Sequence, residues 1–204
     1  MNMLASPVTL KNLSGVADSD LVVRAIAGRE DGFEELVRRY QRPIAAYVYR
    51  MVGNYESALD LTQEVFIKIY GSLTRYRSEY KFSTWIYKIA HNAAVDHLRR
   101  HSTRAQSLTN QSAEGAEYDL PLESSKPTPE QEYAGKERRG EIETVVRALP
   151  AAYRELVILR HSHDMSYDEI AEVTGLPLGT VKNRLFRARE VMRQEFLHRG
   201  ITGI

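Results

Sequence analysis

The stretch Ser166-Tyr167-Asp168-Glu169-Ile170-Ala171-Glu172-Val173-Thr174-Gly175-Leu176-Pro177-Leu178-Gly179-Thr180-Val181 decides how the chain is read. Ala171 stands four residues before Gly175, and Val181 six residues after it. Two helices crossing near a right angle need that spacing. The small residue lets the helices approach. The glycine supplies left-handed backbone where the first helix stops, and the β-branched residue anchors the second helix in a core. Ser166 with Glu169 reads as a capping box that opens the first helix. The second helix then carries Lys182, Asn183, Arg184, Phe186, Arg187 and Arg189 on its outer faces, while Leu185 joins Val181 inside.

This is a helix-turn-helix pattern with a basic face, and such a helix sets its N-terminal residues against base edges in the major groove. Asparagine can read adenine, and arginine or lysine can read guanine. Lys182, Asn183 and Arg187 are therefore the base-edge candidates. Arg184 and Arg189 suit phosphates, and Phe186 suits a thymine methyl or the backbone. The plainer alternative is an αα-hairpin with a basic solvent face. The glycine spacing and the basic load together favour DNA.

Working outward, helical periodicity continues on both sides. Ile142, Val145, Val146 and Leu149 form one face, ended by Pro150, and Tyr153, Leu156, Val157 and Leu159 form the next. In the first half, Phe33, Leu36, Val37, Tyr40, Ile44, Tyr47, Val48 and Met51 recur at helical spacing, with Pro43 expected to kink the run or bound it. After Gly53-Asn54, a stop and a cap, comes Ala58, Leu61, Val65, Phe66, Ile69 and Leu73. A third run goes from Thr84 through Trp85, Ile86, Ile89, Ala90, Ala93 and Leu98 to Arg99-Arg100. Ser83 or Thr84 is its expected cap, and the arginines suit a C-terminal end. A short leading helix spans Ser19 to Ala27, capped by Asp18 or Ser19 and stopped by Gly28. No segment alternates like a strand. The expected fold is all-α: two small helical domains joined by a flexible acidic linker. The segments are a disordered extension over 1–17, a first domain over 18–101, a linker over 102–135, a second domain over 136–199 and a tail over 200–204.

Of the 204 residues, 28 are Lys or Arg and 27 are Asp or Glu, for a net charge of +1. That near-neutral total hides its distribution. Residues 81–104 carry five basic side chains against Asp96 alone, residues 105–135 carry Lys126 against six acids, and residues 182–199 carry six basic against two acidic. Two basic segments flanking an acidic one suggest two contacts with a polyanion. The linker is rich in Ser, Thr, Glu and Pro, and its prolines at 121, 127 and 129 oppose a regular helix. It reaches roughly 100 Å fully extended and roughly 30 Å as a coil.

The absence of cysteine excludes disulfides, thiolate metal sites and thiol nucleophiles. No run nears the ~18 apolar residues of a membrane span, and Met1 to Leu13 lacks the apolar core of a signal peptide. A cytoplasmic protein without membrane insertion is expected. No phosphate loop, nucleophile or cofactor motif is present, so no enzymatic chemistry, cofactor or metal is expected. His161, His163 and Asp164 have no spaced partner set and read as a polar turn between helices.

On these residues the chain resembles the extracytoplasmic-function sigma factors of the sigma-70 family, of the sigma-E-like type. Asp60-Leu61-Thr62-Gln63-Glu64-Val65-Phe66-Ile67-Lys68 is similar to the family's region 2.2. Phe82-Ser83-Thr84-Trp85-Ile86-Tyr87-Lys88-Ile89-Ala90-His91-Asn92, followed by Asp96-His97-Leu98-Arg99-Arg100, is similar to regions 2.3 and 2.4. Met165 to Ala171 and Gly179 to Arg189 are similar to region 4.2. The resemblance covers roughly 18–100 and 136–197.

The resemblance implies a promoter-recognition subunit of bacterial RNA polymerase, without catalysis of its own. The first domain would bind the polymerase clamp and the −10 element. The second would bind the −35 element and the β-flap, and the linker would thread toward the RNA exit channel. An anti-sigma factor is a further implied partner. Asp60, Gln63 and Glu64 share one helix face, which the resemblance assigns to the clamp.

The loop Arg75 to Phe82 interleaves aromatics with cations, as single-strand binding requires. Tyr76, Arg77, Tyr80 and Lys81 are its candidates for the −10 element. Asn92 resembles the family's base-pocket residue, and an amide can both donate to and accept from a flipped base. The other reading of Asn92 is a helix residue bonded locally. Lys88, Arg99 and Arg100 are the expected phosphate contacts nearby. Trp85 reads as core rather than as a stacking platform. The family more often has serine where Asn183 stands, so the −35 sequence is left open. The alternative function is a helix-turn-helix regulator acting without polymerase. A helical interaction protein that sequesters another factor is a third reading, but it has no use for Lys182 to Arg189.

Overall fold

The computed structural model describes residues 13–107 and 140–201. The expected linker beyond Ser107 and both chain ends lie outside the described residues. Among the described residues every regular element is helical. The helices are α1 (Asp18–Ile26), α2 (Glu30–Val52), α3 (Tyr55–Ser72), α4 (Phe82–Ser107), α5 (helical over 140–148), α6 (Ala151–Ser162), α7 (Tyr167–Thr174) and α8 (Leu178–His198). A 3-10 turn, Leu73–Arg75, follows α3.

In the first domain α2 is the central helix. It buries Leu36, Ile44, Tyr47, Val48 and Met51 against α1, α3 and α4. The partners answer at helical spacing: Leu61, Val65 and Ile69 from α3, and Ile86, Ala90, Ala93 and Ala94 from α4. α1 docks closely because position 32 has no side chain. A Cβ there would lie 2.6 Å from the Leu21 carbonyl oxygen and 2.9 Å from the Arg24 Cβ.

Several punctuation marks act as the sequence suggests. Gly53 ends α2 in the left-handed conformation at φ 77°, and the Asn54 side chain accepts from the Ser57 amide at 2.9 Å. Ser166 and Glu169 form a reciprocal capping box, and Gly175 closes α7 at φ 70°. α7 and α8 then form the helix-turn-helix, with Ile170, Val173, Val181, Leu185 and Ala188 sharing its core.

Other local expectations are corrected. α2 runs through Pro43 without a boundary. The ring removes one backbone donor, but apolar residues buried on both sides of it hold the helix in place. Asp18 does not cap α1. The N-cap is Ala17 without a side-chain bond, and the Asp18 carboxylate instead receives Arg39 at 2.7 Å and the Tyr40 hydroxyl. Neither Ser83 nor Thr84 caps α4, which begins at Phe82 and buries Thr84. α4 also continues past Arg99 and Arg100, so these do not mark a helix end, and residues 102–107 of the expected linker are helical.

Residues 13–17, expected to be disordered, are packed. Leu13 and Val16 rest on the core, and Arg39 donates to the Leu13 and Ser14 carbonyls at 2.8 and 3.0 Å. Arg39 also shares the buried Glu35 with Arg38. The two guanidiniums, Arg38 first, hold that carboxyl down at about 2. At the other end, part of the expected tail closes α8: the Ile201 amide donates to the Phe196 carbonyl at 2.9 Å, with Gly200 at φ 70°.

The two helical units are not separate. α7 packs on α4, and α6 on α2. Arg50 of α2 grips Glu143 of α5, with Nε at 3.0 Å from Oε1 and Nη2 at 3.1 Å from Oε2, and its Nη1 donates to Ser162. The Tyr87 hydroxyl of α4 lies 2.7 Å from Nδ1 of His163. His163 does stand in the turn after α6, as expected, but its ring is packed inward rather than left to solvent. Its ring stands between Tyr47 and Tyr87, and burial pushes its pKa down to about 4.

Candidate nucleic-acid interface

The recognition helix α8 resolves into two faces. Val181, Leu185 and Ala188 are buried, while Lys182, Asn183, Phe186, Arg187 and Arg189 are exposed. Phe186 is 64% exposed. Arg189 donates to the Tyr167 hydroxyl at 3.3 Å, and Arg160 lies over the Tyr167 ring at 5.6 Å. Tyr167, at the start of α7, thereby groups two cations beside the helix-turn-helix. Sequence reading missed this role. Arg184 departs from the other candidates: it is only half-exposed and its field reaches Glu155.

The second cationic surface lies on α4 and the loop before it. Lys88, Asn92 and Arg99 recur at i, i+4 and i+11, which places them on one stripe of the helix, and all three are exposed, as is Arg100. Arg99 reaches Asp96 at 3.2 Å. Ahead of the stripe, Tyr76 packs against Phe82 and Trp85, each with ring centroids 5.5 Å away. The Tyr76 hydroxyl donates to the Tyr80 carbonyl at 2.7 Å, which fastens the loop back on itself. Trp85 is half-buried in this aromatic group, with one side against the core. Tyr80 and Lys81 remain exposed at a cavity of about 350 Å³, whose wall includes Asp18, Tyr76 and Phe82, and Arg77 is exposed in the same loop. Asp18 was not among the sequence candidates, because its contribution comes from a helix far away in the chain. Lys81, though exposed, is paired: its ammonium lies 2.8 Å from the Glu169 carboxylate of α7.

The third surface is on α3. Asp60, Gln63 and Glu64 are exposed on one face, with Leu61 and Val65 buried on the other. The same exposed face carries Ile67, which is 71% exposed, one turn beyond Glu64. An apolar residue off the buried stripe is the sequence signal that could have added it.

Glu155 and His91 face each other at 3.6 Å between α6 and α4, and both are buried. Burial pushes the glutamate up to about 7 and the histidine down. A carboxyl with a raised folded pKa contributes stability below its ordinary value of 4.5, and loses it as the pH rises through about 7. Glu155→Gln is therefore expected to raise stability at pH 8 by on the order of 2 kcal/mol and to change little at pH 5. Thermal melts at the two pH values check this. The histidines act in the opposite sense: their folded pKa values are lowered, so their contribution is lost as the pH falls below about 6.5.

Among the described residues no group of three or more His, Asp or Glu side chains could hold a metal ion, and no helix is long and apolar enough to cross a membrane.

Residues 36–104 match the family model "Sigma-70 region 2", and residues 139–192 match "Sigma-70, region 4". The chain is 36% identical over 177 residues to the RNA polymerase sigma-H factor of Pseudomonas aeruginosa, covering 86% of this chain and 91% of that protein. It is 34% identical over 178 residues to the ECF RNA polymerase sigma-E factor of Escherichia coli K12, covering 87% and 93%. Among solved structures, the sigma factor RpoE of Bartonella quintana, determined with the anti-sigma factor NepR, matches with a TM-score of 0.65 at 20% identity. The match covers 81% of this chain and 96% of that one, and supports the fold. With both family regions in order and this identity across most of its length, the chain belongs to the sigma-70 family of RNA polymerase sigma factors, in its extracytoplasmic-function (ECF) branch.

Proposed function

We propose that the first domain, α1 to α4, binds core polymerase and the −10 element, and that the second, α5 to α8, binds the −35 element. The observation that supports this best is the pair of exposed cationic surfaces, each on the family segment whose chemistry suits it: aromatic and amide groups on the loop and α4, arginines on a helix-turn-helix. In the first, Tyr76, Arg77, Tyr80 and Lys81 surround an unpaired base, and Asn92 reads its edge. Lys88, Arg99 and Arg100 hold the backbone. In the second, Lys182, Asn183 and Arg187 meet base edges, Arg184 and Arg189 meet phosphates, and Phe186 meets a thymine methyl or the backbone. Asp60, Gln63 and Glu64 dock on the polymerase clamp, with Ile67 beside them. The β-flap is the second contact on the polymerase. The protein supplies recognition and leaves catalysis to the polymerase. It works in the cytoplasm, and an anti-sigma factor is its expected regulator. The reading as a regulator that acts without polymerase is not favoured, because it leaves the polar face of α3 without a role.

Run-off transcription from a randomised promoter library, with core polymerase and the full chain, tests the reading and returns both elements. Tight duplex binding by the free chain with no response to core enzyme would overturn it. Two variants refine it. Asp60→Lys combined with Glu64→Lys is expected to weaken binding to core enzyme at least tenfold in a competition assay while the chain stays folded, since both positions are exposed. Arg187→Ala is expected to lose about 1–3 kcal/mol at the −35 element if its contact is bidentate to a base. A uniform loss over all sequences would mark it as a phosphate contact instead.

A further inference from the structure

Outside the surfaces described so far, two histidines lie side by side on α4. His97 and His101 are four residues apart, so they share one face of the helix, one turn from each other. Their ring centroids are 4.2 Å apart, and the ring planes are 35° from parallel. His97 is half-buried and His101 is exposed, so the pair opens to solvent. The sequence places the end of this helix at Arg99-Arg100, which leaves His101 outside it. The structure instead carries α4 on to Ser107 and sets both rings on one helical turn.

The chemistry of the pair is that of a chelate. A neutral imidazole offers a lone pair on one ring nitrogen, while the other keeps its proton for a hydrogen bond to water. Burial lowers the His97 pKa, and the charges of His101 and Arg100 lower it further, so this ring is neutral at pH 7. Two nitrogens bound to one zinc ion at about 2.0–2.1 Å are no more than about 4 Å apart. Rings with centroids 4.2 Å apart reach that separation by small side-chain rotations. Two histidines at i and i+4 on one helix face are also the spacing that zinc-binding helices use. Imidazole suits Zn²⁺, Ni²⁺ and Cu²⁺, whereas Mg²⁺ and Ca²⁺ take oxygen ligands.

The surroundings accept a dication. Arg100 opposes it, but Glu64 of α3 acts on His97 with the opposite sign. The Asp96 carboxylate lies 3.2 Å from the Arg99 guanidinium and offsets that charge. This part of α4 also has something to gain. From Val95 to His101 no residue is buried, although Leu98 rests on the core. Most helices in proteins owe their stability to tertiary packing, and here little of it is available.

We propose that His97 and His101 form a two-histidine site for a divalent cation of the zinc, nickel or copper type, which fastens the turn of α4 that carries Arg99 and Arg100. Water fills the remaining coordination positions. The site stands on the geometry of α4 and does not depend on the promoter reading.

The test titrates the untagged full-length chain with zinc, nickel and magnesium chlorides near pH 7 in a calorimeter. The chain has no cysteine, so no thiolate competes. Wild type is expected to bind one Zn²⁺ or Ni²⁺ and no Mg²⁺. His97→Ala and His101→Ala, neither of them in the proposed binding machinery, should each weaken binding by at least the roughly 10–100-fold that losing an outer hydrogen-bond partner of a ligand already costs. In proton–nitrogen spectra of the imidazoles, Zn²⁺ should move the signals of His97 and His101 and leave those of the other four histidines in place. Amide hydrogen exchange over residues 99–103 should slow with Zn²⁺ in wild type and in neither variant. Far-UV circular dichroism reports folding, and if His97→Ala loses helicity, the exposed His101→Ala carries the test. A folded wild type that binds neither Zn²⁺ nor Ni²⁺, variants that bind as wild type does, or movement of other histidine signals alone would each overturn the site. Exchange that stays fast with both ring signals moved would overturn the fastening of the helix.

Discussion

Leu185→Ala is expected to unfold the helix-turn-helix. Leu185 is 1% exposed and lies between Val181 and Ala188, both fully buried, in a core completed by Leu156, Ile170 and Val173. Removing a buried leucine side chain beyond Cβ costs about 2–5 kcal/mol, through lost transfer energy and the cavity left behind. A domain of this size draws no more than about 3–5 kcal/mol from a single small core. The loss is therefore comparable to all the stability the domain has. Denaturant melts should show the second domain unfolding at far lower denaturant, and transcription from a −35-dependent promoter should collapse. Phe186→Ala, one residue on, removes a larger side chain from the 64% exposed position. It is expected to change stability by less than about 0.5 kcal/mol, so any loss of promoter recognition there reports a contact rather than a fold. A Leu185→Ala domain as stable as wild type would mean that the second helix is not anchored through this stripe.

Gly32→Ala is expected to destabilise the first domain by about 3 kcal/mol, the upper part of the usual overpacking range. The added methyl would meet the Leu21 carbonyl oxygen at 2.6 Å and the Arg24 Cβ at 2.9 Å. Neither is the free end of a side chain that can swing away, so α1 itself must shift. α1 carries Asp18, which anchors Arg39 and Tyr40 and forms part of the cavity beside Tyr76 and Tyr80. Loss of −10 recognition should accompany the loss of stability. Gly71→Ala gives the opposite sign. Gly71 lies in α3 with nothing within 4 Å of an added Cβ, so alanine should stabilise by about 0.5–1 kcal/mol through helix propensity alone. Chemical denaturation of the pair separates steric from conformational effects, and equal behaviour of the two variants would refute the close approach of α1 and α2.

The features that were legible in the sequence depend on neighbours in the chain. The capping box at Ser166, the left-handed Gly175 and the Asn54 cap are set within four residues, and the structure forms all three. The stripes Val181-Leu185-Ala188 and Leu61-Val65-Ile69 are periodic, so the faces opposite them, with Arg187 or Glu64, follow by exclusion. Where a local rule competed with a distant partner, the local reading failed. Asp18 is a good helix cap by type, yet Arg39 and Tyr40, about twenty residues on, take its carboxylate. Pro43 is a helix breaker by type, yet α2 is held on both sides of it. His163 stands in the expected turn, but its ring is clasped by Tyr47 and Tyr87 from another domain, which its neighbours in the chain do not announce.

By itself the sequence determined the helical class, the helix-turn-helix, the two basic segments and the division into two domains, because hydrophobic period, turn chemistry and local charge act over a few residues. Only the tertiary structure decided which charges are free for nucleic acid. Lys81 and Arg184 carry the same formal charge as Lys88 and Arg187, but Lys81 is paired with Glu169 and Arg184 is only half-exposed, while the other two are exposed. The contact between the domains belongs to the same class of fact. It joins residues as far apart as Arg50 and Glu143, and a pairing across that separation has no period or spacing to reveal it: it exists only where packing brings the two side chains within 3.0 Å.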